Sequence, residues 1–315
     1  MLRRRTRSKK ALGNLEPEQQ SAWERNSKMQ RWHLVVAAMA LTSAAAYAQG
    51  GRVMSTADLK ILDGWGRPLS DPGTPGPAPV RDISGMWEPA EGPGAGIQAN
   101  GPVSMRSDGI SEPPYTPAGK AAYDSHGALY GYRSVLPSMS NDPRNNCDPL
   151  GFPRANFYQL RHTKLIQLED QVVLLYQFDK KYRIIWTDGR DFPEVLPDNR
   201  WYGYSVGKWE DDSTLVVNTI GLIGDERVWL DETGRPMSEE MTVEERFHLV
   251  NSHLMELTVT VTDPKFYAEP WVPMDSFPMK RQATDYDIIE MLCAPSDMEA
   301  YKSDFADPAS GIGIN

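Results

Sequence analysis

Gly203-Tyr204-Ser205-Val206-Gly207 spells G-x-S-x-G, the pattern of the nucleophile elbow in serine hydrolases. That elbow needs a strand before the serine and a helix after it. Here KWEDDSTLVVNT follows, which reads as a strand end, a polar turn and a β-branched strand. Ser205 is therefore read as a strand residue, with Gly203 and Gly207 permitting a bend or a close backbone approach. A second possible chemistry lies in charged residues on strands that otherwise carry apolar side chains: Asp188, Arg190, Glu210, Glu245 and Arg246. A carboxylate beside an arginine inside a barrel can orient a ligand or hold a shifted pKa for proton transfer. At strand ends the same groups serve as structural ion pairs. Asp188, Tyr204, Glu245 and Arg246 are the candidate acid–base residues.

Aromatic residues supply a third signal. Trp186, Trp201, Tyr202, Tyr204, Trp209, Trp229 and Trp271 crowd one part of the chain. Aromatic walls suit flat or apolar small molecules, and they also fill cores. The candidate ligand-binding residues are Trp186, Arg190, Trp209, Glu210, Trp229 and His162. Beyond residue 48 the histidines are His126, His162, His248 and His253, with no H-x-H or H-E-x-x-H spacing, so no metal site and no cofactor are expected.

Met29 to Ala48, MQRWHLVVAAMALTSAAAYA, reads as a secretory signal. Arg31 is its basic flank, Leu34 to Ala46 its apolar centre, and Ala46-Tyr47-Ala48 its cleavage site before Gln49. The first 28 residues make an unusually long flank, and Met29 is an alternative start. Removing residues 1–48 takes away nine Lys/Arg and three Asp/Glu, leaving 24 basic against 40 acidic side chains and a net charge of −16. Such a charge repels phosphate backbones and anionic lipid, so neither nucleic acid nor docking on an anionic lipid surface is expected. The signal's apolar run is too short to span a membrane, so no membrane insertion is expected once it is cleaved. In an oxidising compartment Cys147 and Cys293 can pair; two separately buried thiols are the alternative.

The elements that must position these residues are mostly strands. Residues 49 to about 80 are a Pro/Gly-rich linker, and the folded domain is expected over 82–298 with a tail over 299–315. Thr116 caps a short helix, TPAGKAAYDSHG, with Pro117 in its first turn and Gly127 ending it. Strands are expected over Asp82–Ala90, Gln171–Phe178, Lys181–Arg190, GYSVGKW, TLVVNTIG, MTVEERFHLV and LMELTVTV. Two weaker ones follow: EPWVPMDSFPMKRQ, placed at an edge by its prolines, and DYDIIEMLCA. In the 181–190 strand Tyr182, Ile184, Trp186 and Asp188 share one face, and Arg183, Ile185 and Thr187 the other. About nine strands with short connections give an all-β fold, an antiparallel barrel or sandwich.

Several stretches together resemble a family of uncharacterised exported bacterial proteins with a lipocalin-like (calycin-like) β-barrel. They are Asp188-Gly189-Arg190, the GYSVGKWE run, Leu215 to Thr219, Glu245-Arg246-Phe247 and Asp263-Pro264 through Pro270-Trp271, with Gly85-Met86-Trp87 and Cys147. The resemblance covers most of residues 82–294 and implies an antiparallel barrel of about nine strands. Where such relatives often carry histidines, this chain has Phe192, Tyr204 and Thr242. Its hairpin turn also has one extra residue, Asp211-Asp212-Ser213, which suggests a bulge. The expected function is an exported barrel that binds a small apolar or aromatic molecule in a hollow lumen. The alternative is an enzyme of the same fold: a metal-independent acid–base lyase, isomerase or hydrolase. A purely structural protein would need that lumen packed shut.

Overall fold

Period-two alternation builds most of the wall. On β7 (Thr242–Leu249) Val243, Glu245, Phe247 and Leu249 are buried, and on β8 (Leu254–Thr262) Met255, Leu257, Val259 and Val261 are buried. The antiparallel register sets Val243 beside Val261, Phe247 beside Leu257 and Leu249 beside Met255, so one continuous face points inward. The computed structural model describes residue 70 and residues 73–90, 112–157, 162–196, 198–224 and 227–311. The expected signal segment lies outside the described residues.

The other strands are β1 (Gly85–Pro89), β2 (Thr163–Gln167), β3 (Gln171–Tyr176), β4 (Tyr182–Trp186), β5 (Tyr204–Trp209), β6 (Thr214–Ile220) and β9 (Trp271–Arg281). Their order is sequential, and β9 pairs back onto β1, with Trp87 opposite Arg281, to close a nine-stranded barrel. Closure leaves no free sheet edge. Helix α1 (Pro117–Ser125) starts as expected, with the Thr116 hydroxyl accepting from the Gly119 amide at 3.0 Å; it ends at His126, one residue before Gly127. A short helix α2 (Arg154–Phe157) is wholly buried.

Four expectations are corrected. The stretch 285–294 is not a strand; Met291 only bridges to Phe178, and the ninth strand is β2 instead. β9 is not an edge strand, for it has partners on both sides. Two register shifts around Val259 and the left-handed Ser276 (φ 49°) bend it, which is how a proline-bearing strand stays inside a closed sheet. One pairing is parallel: β4 and β5 meet over Ile185–Ser205 and Trp186–Val206 alone, because residues 187–203 cross over rather than turn back. The β5–β6 ladder carries no bulge, since the turn absorbs the extra residue; the Asp211 carboxylate accepts the Ser213 and Thr214 amides at 2.7 Å.

Cys147 and Cys293 form a disulfide, with Cα atoms 5.4 Å apart. It ties a 3₁₀ turn (Pro143–Asn146) to the chain just before the C-terminal helix. That helix, absent from the sequence expectation, runs as α3 (Pro295–Tyr301), a π-helical turn (Lys302–Ala306) and α4 (Asp307–Ala309). Among the described residues, no helix is long and apolar enough to cross a membrane.

Candidate functional site

β4 alternates, so Arg183 and Ile185 face inward while Tyr182, Ile184 and Trp186 face outward. An inward arginine cannot sit uncompensated in a dry barrel, where a lone charge is very costly. Glu245 on β7 reaches across the lumen to meet it, Arg183 Nη2 to Glu245 Oε2 at 2.6 Å. The same nitrogen donates to Thr219 Oγ1 at 2.8 Å, and Arg183 Nε donates to Ser205 Oγ at 3.0 Å. Asn156 of α2 donates to the other Glu245 oxygen at 2.9 Å, and the Phe152 ring lies 3.8 Å from the guanidinium carbon. Burial works against the Arg183 charge, but the adjacent Glu245 carboxylate outweighs it and raises the guanidinium's proton affinity. The Tyr176 hydroxyl lies by the same guanidinium but outside hydrogen-bonding geometry, and burial pushes its pKa up to about 12.

This network corrects the expected hollow lumen. Arg183, Glu245, Ser205 and Thr219 fill the middle together with the Leu150–Phe157 segment, and apolar side chains from every wall fill the rest. An enclosed cavity of about 10 Å³ beside Tyr176 and Tyr202 has room for one water molecule, not a ligand. Ser205 is 1% exposed and is followed by strand, not helix, which accounts for GYSVG. Gly203 has φ 65°, a conformation that favours glycine, and a Cβ on Gly207 would come within 2.9 Å of the Ile185 side chain, so one glycine serves the backbone and the other close packing.

The wall opens where β4 and β5 pair least. A cleft of about 350 Å³ lies there, lined by Tyr182, Arg183, Ile184, Trp186, Arg200, Trp201, Tyr202, Gly203, Tyr204 and Ser205. Five aromatic side chains wall it, and two members of the interior network, Arg183 and Ser205, form its floor. At its rim Arg190 stacks on Trp186, with 3.7 Å from the guanidinium carbon to the ring, and pairs with Asp188 at 2.5 Å. That pairing holds the Asp188 carboxyl below its ordinary range and raises Arg190. Arg190 also approaches the Tyr204 hydroxyl at 3.5 Å, and Phe192 packs edge-on to the Tyr204 ring. Arg200 lies over Tyr204 at 5.8 Å and has no carboxylate partner among the described residues.

The four acid–base candidates do not form one site. Asp188 and Tyr204 meet only through Arg190 at the rim, Glu245 is locked in the interior, and Arg246 points outward to pair with Glu210. Consecutive strand residues face opposite ways, so Glu245 and Arg246 cannot converge. The ligand-binding candidates divide too. Trp186 and Arg190 belong to the β4–β5 cleft. Trp209 and Glu210 line a separate cleft of about 360 Å³ over the outer face of β5–β7, where Lys208 pairs with Asp191 and Arg246 with Glu210, and Glu244 also lines it.

Trp229 is corrected to a core residue, stacked on His126 at 4.3 Å. His162 is also enclosed: Nε2 meets Glu88 at 2.9 Å, Nδ1 meets Gln177 at 3.0 Å, and the Tyr286 ring covers it at 3.8 Å. Burial opposes the Glu88 charge, but His162 and Lys280 together hold its pKa below the ordinary value.

Arg183, Arg200 and Asn156 were missed as site residues. For Arg183 the signal was present, since alternation puts it on the face of buried Ile185. Arg200 and Asn156 sit outside any periodic segment and had no such signal. No family model, curated protein or solved structure matches the chain.

Proposed function

We propose that this is an exported protein that binds a small aromatic or apolar molecule in the cleft between β4 and β5. The observation that supports it is the cleft itself: five aromatic side chains around a floor of buried, hydrogen-bonded polar groups, at the seam where the barrel ladder is shortest. Concave aromatic walls with a few placed polar groups are what small-ligand sites require. Arg200, which has no carboxylate partner among the described residues, favours a ligand carrying an anionic group next to its ring. Dispersal of Asp188, Glu245 and Arg246 favours binding over acid–base catalysis. The disulfide is consistent with an oxidising compartment, and the Met29–Ala48 signal would deliver the chain there. The barrel and the motif set Asp188–Trp271 agree with the exported lipocalin-like family that the sequence resembles.

Native mass spectrometry of the protein recovered from an exporting host tests this. A chain beginning at Gln49 with a bound small molecule is expected. Trp186→Ala and Arg200→Ala should each weaken rebinding of the recovered molecule by about tenfold, as losing an aromatic or charged contact does. A ligand-free protein, or binding indifferent to both substitutions, sinks the reading.

A further inference from the structure

A third hollow lies on another part of the molecule, beneath the C-terminal helix. It has a volume of about 310 Å³ and is lined by residues including Leu129, Tyr130, Glu232, Met298 and Tyr301, with Cys293 at its edge. Two arginines reach it, but both are committed. Arg154 forms a two-pronged pair with Asp142 at 2.9 and 2.5 Å, and Arg144 pairs with Asp179 at 2.8 Å while donating to the Asp148 carbonyl at 3.1 Å. Glu232 differs. It is 5% exposed, lines the hollow, and has no hydrogen-bond or ion-pair partner among the described residues. A carboxylate so buried is normally paired. We propose that this cleft binds a small organic cation, an amine or quaternary ammonium group, held by the Glu232 carboxylate between the Tyr130 and Tyr301 rings.

The surrounding charges favour a cation. Desolvation raises the Glu232 pKa to about 8, and Asp231 and Asp142 raise it further than Arg154 lowers it. The field at the carboxylate is thus negative, which suits a positive guest and not an anion. Arg144 is paired with Asp179. Tyr130, like Glu232, is raised by burial first and then by its neighbours Glu232 and Tyr301, which places it close to that carboxylate. Ammonium groups are attracted to the faces of tyrosine rings as well as to carboxylates. Below about pH 8 Glu232 carries a proton, so cation binding breaks the carboxyl O–H bond and releases that proton to the buffer. The Cys147–Cys293 disulfide holds the start of the helix that supplies Met298 and Tyr301. This site is independent of the β4–β5 cleft.

Isothermal titration of the disulfide-bonded protein with benzyltrimethylammonium at pH 6.5 and 8.5, in two buffers of different ionisation heat, tests the proposal. Saturable binding is expected, tightening roughly 20-fold from pH 6.5 to 8.5, with proton release at the lower pH. Glu232→Gln should abolish the pH dependence and weaken binding at pH 8.5 at least tenfold, and Tyr301→Ala, at an exposed rim position, should weaken it several-fold. Thermal melting shows whether each variant is folded; if Glu232→Gln is not, the wild-type pH dependence decides. Absence of saturable binding, affinity flat with pH in the wild type, a folded Glu232→Gln binding as the wild type does, or equal affinity for neutral benzyl alcohol would each overturn it.

Discussion

Glu245 and Glu232 are both buried carboxylates, and they have opposite chemistry. Glu245 is wholly inaccessible, yet each oxygen is answered, one by Arg183 and the other by Asn156. Glu232 is slightly less buried and has no partner among the described residues, and desolvation raises its pKa to about 8. Burial alone does not make a carboxylate reactive or inert; the partners it is given decide. A paired carboxylate spanning the barrel specifies the interior, with only Arg183 Nη1 left unanswered among the described residues, whereas Glu232, facing a cleft, is available to a guest.

The largest effect expected from breaking this contrast is on the paired side. Glu245→Ala leaves Arg183 charged and dry, and urea unfolding should show a loss of about 3–5 kcal/mol. The double change Arg183→Met with Glu245→Leu should cost less than that single change, because no buried charge is left behind. A loss below about 1 kcal/mol for Glu245→Ala would show that the interior is wetter than the structure implies.

Next in size is the disulfide. Cys147→Ser should lower stability by about 2–5 kcal/mol, given the 146 residues that the bond closes off. Amide exchange should show the Met298–Tyr301 wall loosened while β7 keeps its protection. Equal loosening of both would mean that the two regions form one cooperative unit.

For Glu232 the effect depends on pH. Its folded pKa of about 8 lies above the ordinary 4.5. The stability this group contributes is therefore fully present below about pH 4.5 and is lost as pH rises through about 8. Thermal melts of Glu232→Gln should lack that decline, leaving the variant about 1–3 kcal/mol more stable than the wild type at pH 8.5. Parallel melting profiles for both proteins from pH 5 to 8.5 would contradict the assignment.

The smallest effect is expected one residue along from Glu245. Arg246→Ala removes an exposed pair with Glu210 and should change stability by no more than about 1 kcal/mol. A larger loss would erase the distinction between the inner and outer faces of β7.

Much of the barrel was legible residue by residue. Thr116 and Pro117 announced α1, and β7 and β8 showed their buried faces as plain alternation. The prolines of β9 misled, because a closed sheet has no edge to place them at and the strand bends instead. β2 was passed over because it is short and carries Lys164 and Gln167 among its five residues. For the sites, Trp186, Arg190 and Tyr204 were recognised and do meet. Glu232 was invisible, since nothing in DETGRP distinguishes a buried carboxylate from a solvated turn.

Local chemistry written in the chain determined most of the strands, their apolar faces on β4, β7 and β8, where α1 begins and which two cysteines exist to pair. Tertiary structure alone decided that Arg183 meets Glu245, 62 residues away and three strands over, that Leu150–Phe157 helps fill the lumen, and that Glu232 has no partner among the described residues. The physical reason is one of range. Alternation and capping act over a few residues, whereas the burial and pairing of a charge depend on every element that closes around it.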